Sequence, residues 1–274
     1  MNDATFLSLI FIKILHKVHS SIEKLIKNFF IRVNPWLKLI FTGCKSPNKL
    51  DSKSRYYKES LSKKPGGVLQ TILIFSAYSC GSSALAGFFE RCGAHSCPPH
   101  AWSNDERTKI SFENIYLKRI LETIFPLKKE ETFFEQKKDF QELVDFFPGW
   151  IQTHMQIAAG IGKKAIVIKH PLTMFAIKEI EPFLTNPRYI VLKRPLEEIE
   201  NSRLRRKWTP VYGKEGAAVI YEKIANKTEQ LNLSTFEITY DDFRKNENAR
   251  LDMINYCKLE MDDKKMQDAT NWIR

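Results

Sequence analysis

The chain has 274 residues, 43% of them apolar, enough to fill a sizeable core and leave an appendage. A formal charge of +11 would raise nucleic acid as a partner, but residues 1–66 hold 13 basic and 4 acidic side chains, a net +9, and the rest carries only +2. The excess therefore belongs to an N-terminal arm and no nucleic-acid partner is expected. Five cysteines, an odd number without a cleavable leader before them, argue against a disulfide framework and for a reducing, cytoplasmic setting.

From the start of the chain, residues 6–41 are rich in Phe, Ile and Leu, but Lys13, Lys17, Glu23, Lys24, Lys27 and Arg32 interrupt any apolar span of roughly 20 residues, so no transmembrane helix is expected. The periodicity predicts two amphipathic helices, at about 4–18 and 20–31, each with lysines beside a broad apolar face. Such helices suit peripheral contact with the inner face of a membrane, or packing on the protein's own core or another subunit. Residues 43–67, with Pro47, Asp51, Ser52, several lysines and Pro65-Gly66-Gly67, read as a linker. The expected organisation is an amphipathic helical arm at 1–42, a linker at 43–67 and an α/β domain at 68–274.

In that domain the pattern predicts a strand at Thr71–Ser76, a helix from Ser82 to about Cys92, and a mostly helical middle from about 110 to 160. A strand at Ala165–Lys169 precedes a helix at 172–184. A strand at Arg188–Lys193 leads into helices from Leu196 to about Lys207 and at about 214–231, and a last strand, Ser234–Thr239, precedes C-terminal helices. Short unbroken apolar strands between helices indicate a parallel sheet covered on both faces. The fold class is α/β, a three-layer P-loop-type arrangement. Cys92, His95, Cys97 and His100 match no established zinc spacing, and no metal is expected.

The first strand runs into Ser76-Ala77-Tyr78-Ser79-Cys80-Gly81-Ser82-Ser83 and then a helix. Gly81 allows close approach of backbone to ligand, and the first-turn amides with the Ser82 and Ser83 hydroxyls offer donors to an anion, so the segment reads as a phosphate loop. Ser82 stands where a Walker loop needs Lys, which disfavours an ATP or GTP hydrolase and leaves a P-loop metabolite kinase as a minor alternative.

Here the chain resembles the sulfotransferases that use 3′-phosphoadenosine-5′-phosphosulfate (PAPS). Their 5′-phosphosulfate loop reads roughly G-x-P-[KR]-S-G-[ST]-[ST]. Gly81, Ser82 and Ser83 match its end, while Ser76, Tyr78, Ser79 and Cys80 depart from it, Ser79 replacing the basic residue. The resemblance implies cofactor contacts from Ser79, Cys80, Gly81, Ser82 and Ser83, and leaves Lys169 or Lys193 to supply the missing cation. It extends to Arg194 at the end of a strand with Ser202 eight residues on, the pair that grips the 3′-phosphate in the family, and to Val167-Ile168-Lys169-His170-Pro171 and Phe236–Phe243. On physical grounds, a guanidinium at the carboxyl end of a parallel strand, with a hydroxyl two helical turns later, suits a phosphate.

The same resemblance implies sulfuryl transfer from PAPS, as co-substrate, to a hydroxyl of a carbohydrate or glycolipid, with release of adenosine 3′,5′-bisphosphate (PAP). A base must take the acceptor's proton. Glu113, in Phe112-Glu113-Asn114, is one candidate, although a Glu opening a helix also simply suits the helix dipole, and His100 is the rival. Arg203, Arg205, Arg206, Lys207 and Trp208 suit either an anionic acceptor or a solvated helix face. Because Ser79 lacks a charge, a sulfotransferase-like protein that binds nucleotide without efficient turnover is the alternative.

Overall fold

A computed structural model describes residues 69–105, 108–127 and 134–273. The expected arm and linker lie outside these residues. In chain order the elements are β1 (Gln70–Ser76), α1 (Ser82–Arg91), β2 (Ala94–His95), β3 (His100–Asp105), β4 (Thr108–Asn114), α2 (Ile115–Ile124), α3 (Gln141–Gly160), β5 (Ala165–Lys169), α4 (Ile177–Ile180), β6 (Arg188–Lys193), α5 (Leu196–Arg206), α6 (Lys214–Gln230), β7 (Thr235–Thr239), α7 (Tyr240–Lys245), α8 (Glu247–Tyr256) and α9 (Asp263–Trp272). Among the described residues no helix is long and apolar enough to cross a membrane.

Five strands form one parallel sheet in the order β2-β5-β1-β6-β7. β1, Gln-Thr-Ile-Leu-Ile-Phe-Ser, is buried at every position, because a central strand of an α/β sheet meets helices on both faces. Helices cover the sheet: α1 packs on β1 and β5, α3 on β5 and β2, and α6 on β1. Phe75, Phe88, Phe89, Phe147 and Phe243 are fully buried between these layers, each removal from water contributing roughly 1.5–3 kcal/mol before entropy is counted.

The order of strands positions the site. From β1 the chain departs toward β5 and β2, whereas from β6 it departs toward β7. The carboxyl ends of these two neighbours therefore bound a topological switch point, the crevice where open α/β sheets take ligands. Register sets the depth: Ser76 lies opposite Leu192 and Ile74 opposite Lys169, so the loop after β1, Arg194 and Lys169 emerge at one edge.

Three expectations about elements are corrected. The stretch from about 110 is not helical: β3 and β4 form an antiparallel pair, and helix resumes only at Ile115, where the Asn114 side chain accepts from the amides of Tyr116 and Leu117. The short strand β2 occupies the sheet edge just after the first helix, where no strand was expected. Residues 172–184 are not one helix but a 3-10 turn at Pro171–Ala176, the four-residue α4 and a second 3-10 turn at Glu181–Phe183; Pro182 has no amide to continue an α ladder.

Candidate functional site

The loop after β1 is shaped by two left-handed residues, Ser79 at φ 58° and Gly81 at φ 96°. The Gly81 carbonyl accepts from the amides of Ala84 (3.0 Å) and Leu85 (3.3 Å), which starts α1 and leaves the Ser82 and Ser83 amides at its open N-terminus. A side chain at 81 would collide with the ring of Tyr240, so glycine is required both by φ and by space. Among the described residues the buried Ser79 hydroxyl has no hydrogen-bond partner, an orphan donor in the loop that an anion would satisfy.

The Cys80 thiol is turned to β6 and α6: it donates to the Leu192 carbonyl at 3.2 Å and meets the Tyr221 hydroxyl at 3.2 Å, and burial pushes it up to about 12, so it is held as a neutral thiol. The Tyr221 hydroxyl in turn accepts from the Arg194 amide at 2.9 Å, locking the loop to the end of β6.

Arg194 and Ser202 are brought together. The Arg194 Nη1 donates to the Ser202 hydroxyl and to the Ser79 carbonyl, each at 3.1 Å, while Nε pairs with Glu198 at 2.9 Å. Its guanidinium lies 4.8 Å from the centre of the Tyr240 ring. Tyr240, Tyr221 and Glu198 were missed by sequence reasoning. Tyr240 lies in the Phe236–Phe243 segment of the resemblance and directly follows Thr239, whose side chain caps α7.

A second cluster lies beside the loop. Lys169 Nζ meets Glu113 Oε1 at 2.5 Å and the Ser111 carbonyl at 3.3 Å, and the same carbonyl accepts from the Ser83 hydroxyl at 2.9 Å. Lys118 approaches the other Glu113 oxygen at 3.4 Å. Burial would raise Glu113, but Lys169, His170 and Lys118 outweigh it and hold the carboxyl at about 2. Burial pulls Lys169 below the usual lysine value while Glu113 pulls it back. The His170 ring is held neutral by burial, down to about 3, and its Nδ1 accepts from the Leu172 amide at 3.2 Å.

Other sequence candidates sit elsewhere. Lys193 is half exposed and paired with Glu237 at 2.5 Å, so it is Lys169 that adjoins the loop. His100 is not part of the Lys169 cluster: its Nε2 meets the Ser96 carbonyl at 2.9 Å and its ring packs on Phe112, the strand neighbour of Glu113. Arg205 and Arg206 pair with the buried Asp105 at the end of β3 (3.1 and 2.6 Å), and Arg206 stacks over Trp208. Arg203 binds Glu200 and the Trp208 carbonyl, and Lys207 ends α5 in a left-handed turn. A cavity of about 440 Å³ opens beside Arg194, lined by Pro195, Leu196, Tyr221, Ile224 and Thr239, within the size range of small-molecule pockets.

No protein-family model matches the chain, and no curated protein matches it. Among solved structures it is similar to the sulfotransferase domain of a Synechococcus olefin synthase (13% identity, 76% of this chain and 78% of that one, TM-score 0.45). It is also similar to sulfotransferases from Mycobacterium tuberculosis (14%, 79% and 73%, TM-score 0.45) and Mycobacterium avium (10%, 78% and 69%, TM-score 0.46). Likenesses at this level carry no argument about activity, which has to come from the residues themselves.

Proposed function

We propose that the chain moves the sulfuryl group of PAPS to a hydroxyl of an acceptor and releases PAP. The observation that carries this reading is the junction at Arg194: one guanidinium joined to both the Ser79 carbonyl of the phosphate loop and the Ser202 hydroxyl, at the switch point of the sheet. The spacing that suggested a 3′-phosphate grip thus coincides with a geometry in which both phosphate-binding elements share one crevice. The orphan Ser79 hydroxyl and the α1 N-terminus fit a 5′-phosphosulfate.

In the proposed reaction the bond from sulfur to the bridging phosphate oxygen breaks, that oxygen keeps the electron pair, and a new bond forms from sulfur to the acceptor oxygen. Lys169 supplies the positive charge that Ser79 lacks, next to the leaving phosphate. Glu113 takes the acceptor proton. As a carboxylate held at about 2 it is a weak base, suited to accept that proton late, once bonding to sulfur has made the hydroxyl acidic. A carbohydrate or glycolipid acceptor is supported by Trp102, 76% exposed, which lies opposite the exposed Ile110 on the β3–β4 pair and offers a flat platform for a sugar ring.

Calorimetric titration of PAP into the wild type and Arg194→Ala tests the site without knowledge of the acceptor. Micromolar binding that collapses in the variant is expected; a wild type that ignores PAP refutes the proposal. Binding without sulfate transfer to any mixed glycan or lipid pool would instead favour the alternative of a nucleotide-binding protein that has lost turnover. The arm at 4–31 we propose to act from the cytoplasmic side on an anionic membrane surface. The full chain should then float with phosphatidylserine vesicles in low salt, and Lys13, Lys17, Lys24 and Lys27 all changed to Glu should abolish flotation; unchanged flotation counts against it.

A further inference from the structure

Away from the loop, three side chains of metal-ligand type converge in the core. His95 closes β2, Cys97 follows in the connection to β3, and His154 comes from α3; all are buried, and their ligand atoms lie within 4.8 Å of one another. His95 Nε2 and His154 Nδ1 share a hydrogen bond at 3.1 Å, whose proton an ion would displace. Ligand nitrogens ~2.0–2.1 Å from a tetrahedral zinc ion sit about 3.3 Å from each other, so this pair is already at ligand separation. The Cys97 thiol has only a long contact, 3.8 Å, to the His95 carbonyl.

We propose that His95, Cys97 and His154 bind a zinc-class divalent ion with a fourth position open to water. Two imidazoles and a thiolate, without a carboxylate, are the donors of a borderline-soft metal and not of magnesium or calcium. Binding releases the Cys97 proton to solvent and sets the tautomers so that the two facing nitrogens both point lone pairs at the ion. In the sequence Cys92, His95, Cys97 and His100 group together with no zinc spacing among them, and no metal was expected. Cys92 instead lies near Cys257, and the third ligand arrives from a helix remote in the chain, which is why the spacing matched no zinc pattern.

The ion would tie the connection before β3 to α3. The Asn114 side-chain Nδ2 donates to the Cys97 carbonyl at 2.9 Å, so the tie reaches the end of the strand that carries Glu113. The test is metal analysis of the full chain purified from zinc-supplemented culture, with cobalt substitution as the spectroscopic probe. One zinc per chain is expected, with a thiolate-to-cobalt charge-transfer band and a melting temperature that falls on chelation. Cys97→Ser should lose the band and His154→Gln most of the metal, whereas Cys92→Ser and Cys257→Ser should keep both. A wild type without stoichiometric zinc and without the band overturns the proposal, as does a band that survives in Cys97→Ser. Should the ligand variants not fold, the wild-type measurements decide alone.

Discussion

Lys169 and Glu113 form a buried ion pair, with side chains 6% and 8% exposed, and removing one partner of such a pair leaves the other charged and desolvated. Lys169→Met should therefore cost roughly 3–5 kcal/mol in urea unfolding, and lower the rate of sulfate transfer about 10²–10³-fold, with PAP affinity much less affected. Adding Glu113→Gln should restore most of the stability and none of the rate; recovery of the rate would show that Lys169 serves only to neutralise Glu113. Acid titration separates the neighbours. The unfolded chain protonates His170 near 6.5, whereas the folded chain holds it to about 3, so this contribution is complete above pH 6.5 and lost as pH falls toward 3. Glu113 falls from 4.5 unfolded to about 2 folded, so its contribution persists above pH 4.5 and is lost toward pH 2. In His170→Asn, which keeps an acceptor for the Leu172 amide, the slope of unfolding free energy between pH 6.5 and 4.5 should drop by one proton, about 1.4 kcal/mol per pH unit. An unchanged slope contradicts the assignment. Arg194 and Ser202 were legible because their interval is local, two helical turns after a strand. The pairing of Lys169 with Glu113 was not, since it joins separate segments that only the fold brings together.

At the scale of elements, the β3–β4 pair was the main departure from the sequence pattern. Its strands are irregular, with register shifts and Phe112 at φ 58°, so no clean alternation of period two announced them. A left-handed aromatic residue costs about 1–3 kcal/mol and persists only where its surroundings fix it. Here Phe112 packs between His100 and Trp272, and Glu113 is directed instead to Lys169. The far end of the pair is held by Asp105, clamped by Arg205 and Arg206 of α5. Asp105→Ala should loosen that end: amide exchange across 100–114 should accelerate about tenfold or more, corresponding to roughly 1–3 kcal/mol lost from a buried charge contact. PAP binding should be unchanged and the acceptor KM raised. Exchange identical to wild type would mean that the core packing of Phe112, not the clamp, holds the pair.

For the whole molecule, the alternation of apolar strands with helices was enough to give the parallel sheet and to put the loop at Ser76–Ser83 after its first strand. Strand order was not in the pattern, and it is the order, with β1 and β6 adjacent and their connections diverging, that brings the loop to Arg194. α9 returns to pack on α1, where the Trp272 ring occupies the space left by Gly87, its Nε1 donates to the Ala84 carbonyl at 3.1 Å, and Arg91 stacks over it at 3.8 Å. Because α1 begins at that loop, anything that loosens its packing also loosens the amides proposed to hold the anion. Trp272→Ala should lower stability by about 2 kcal/mol, and weaken PAP binding although the residue lies beyond any contact with nucleotide. Trp272→Phe, which refills the groove over Gly87 without the indole donor, should recover most of the stability. If PAP affinity recovers with it, packing of α1 sets the loop; if stability returns without affinity, the hydrogen bond to Ala84 is what aligns the helix start.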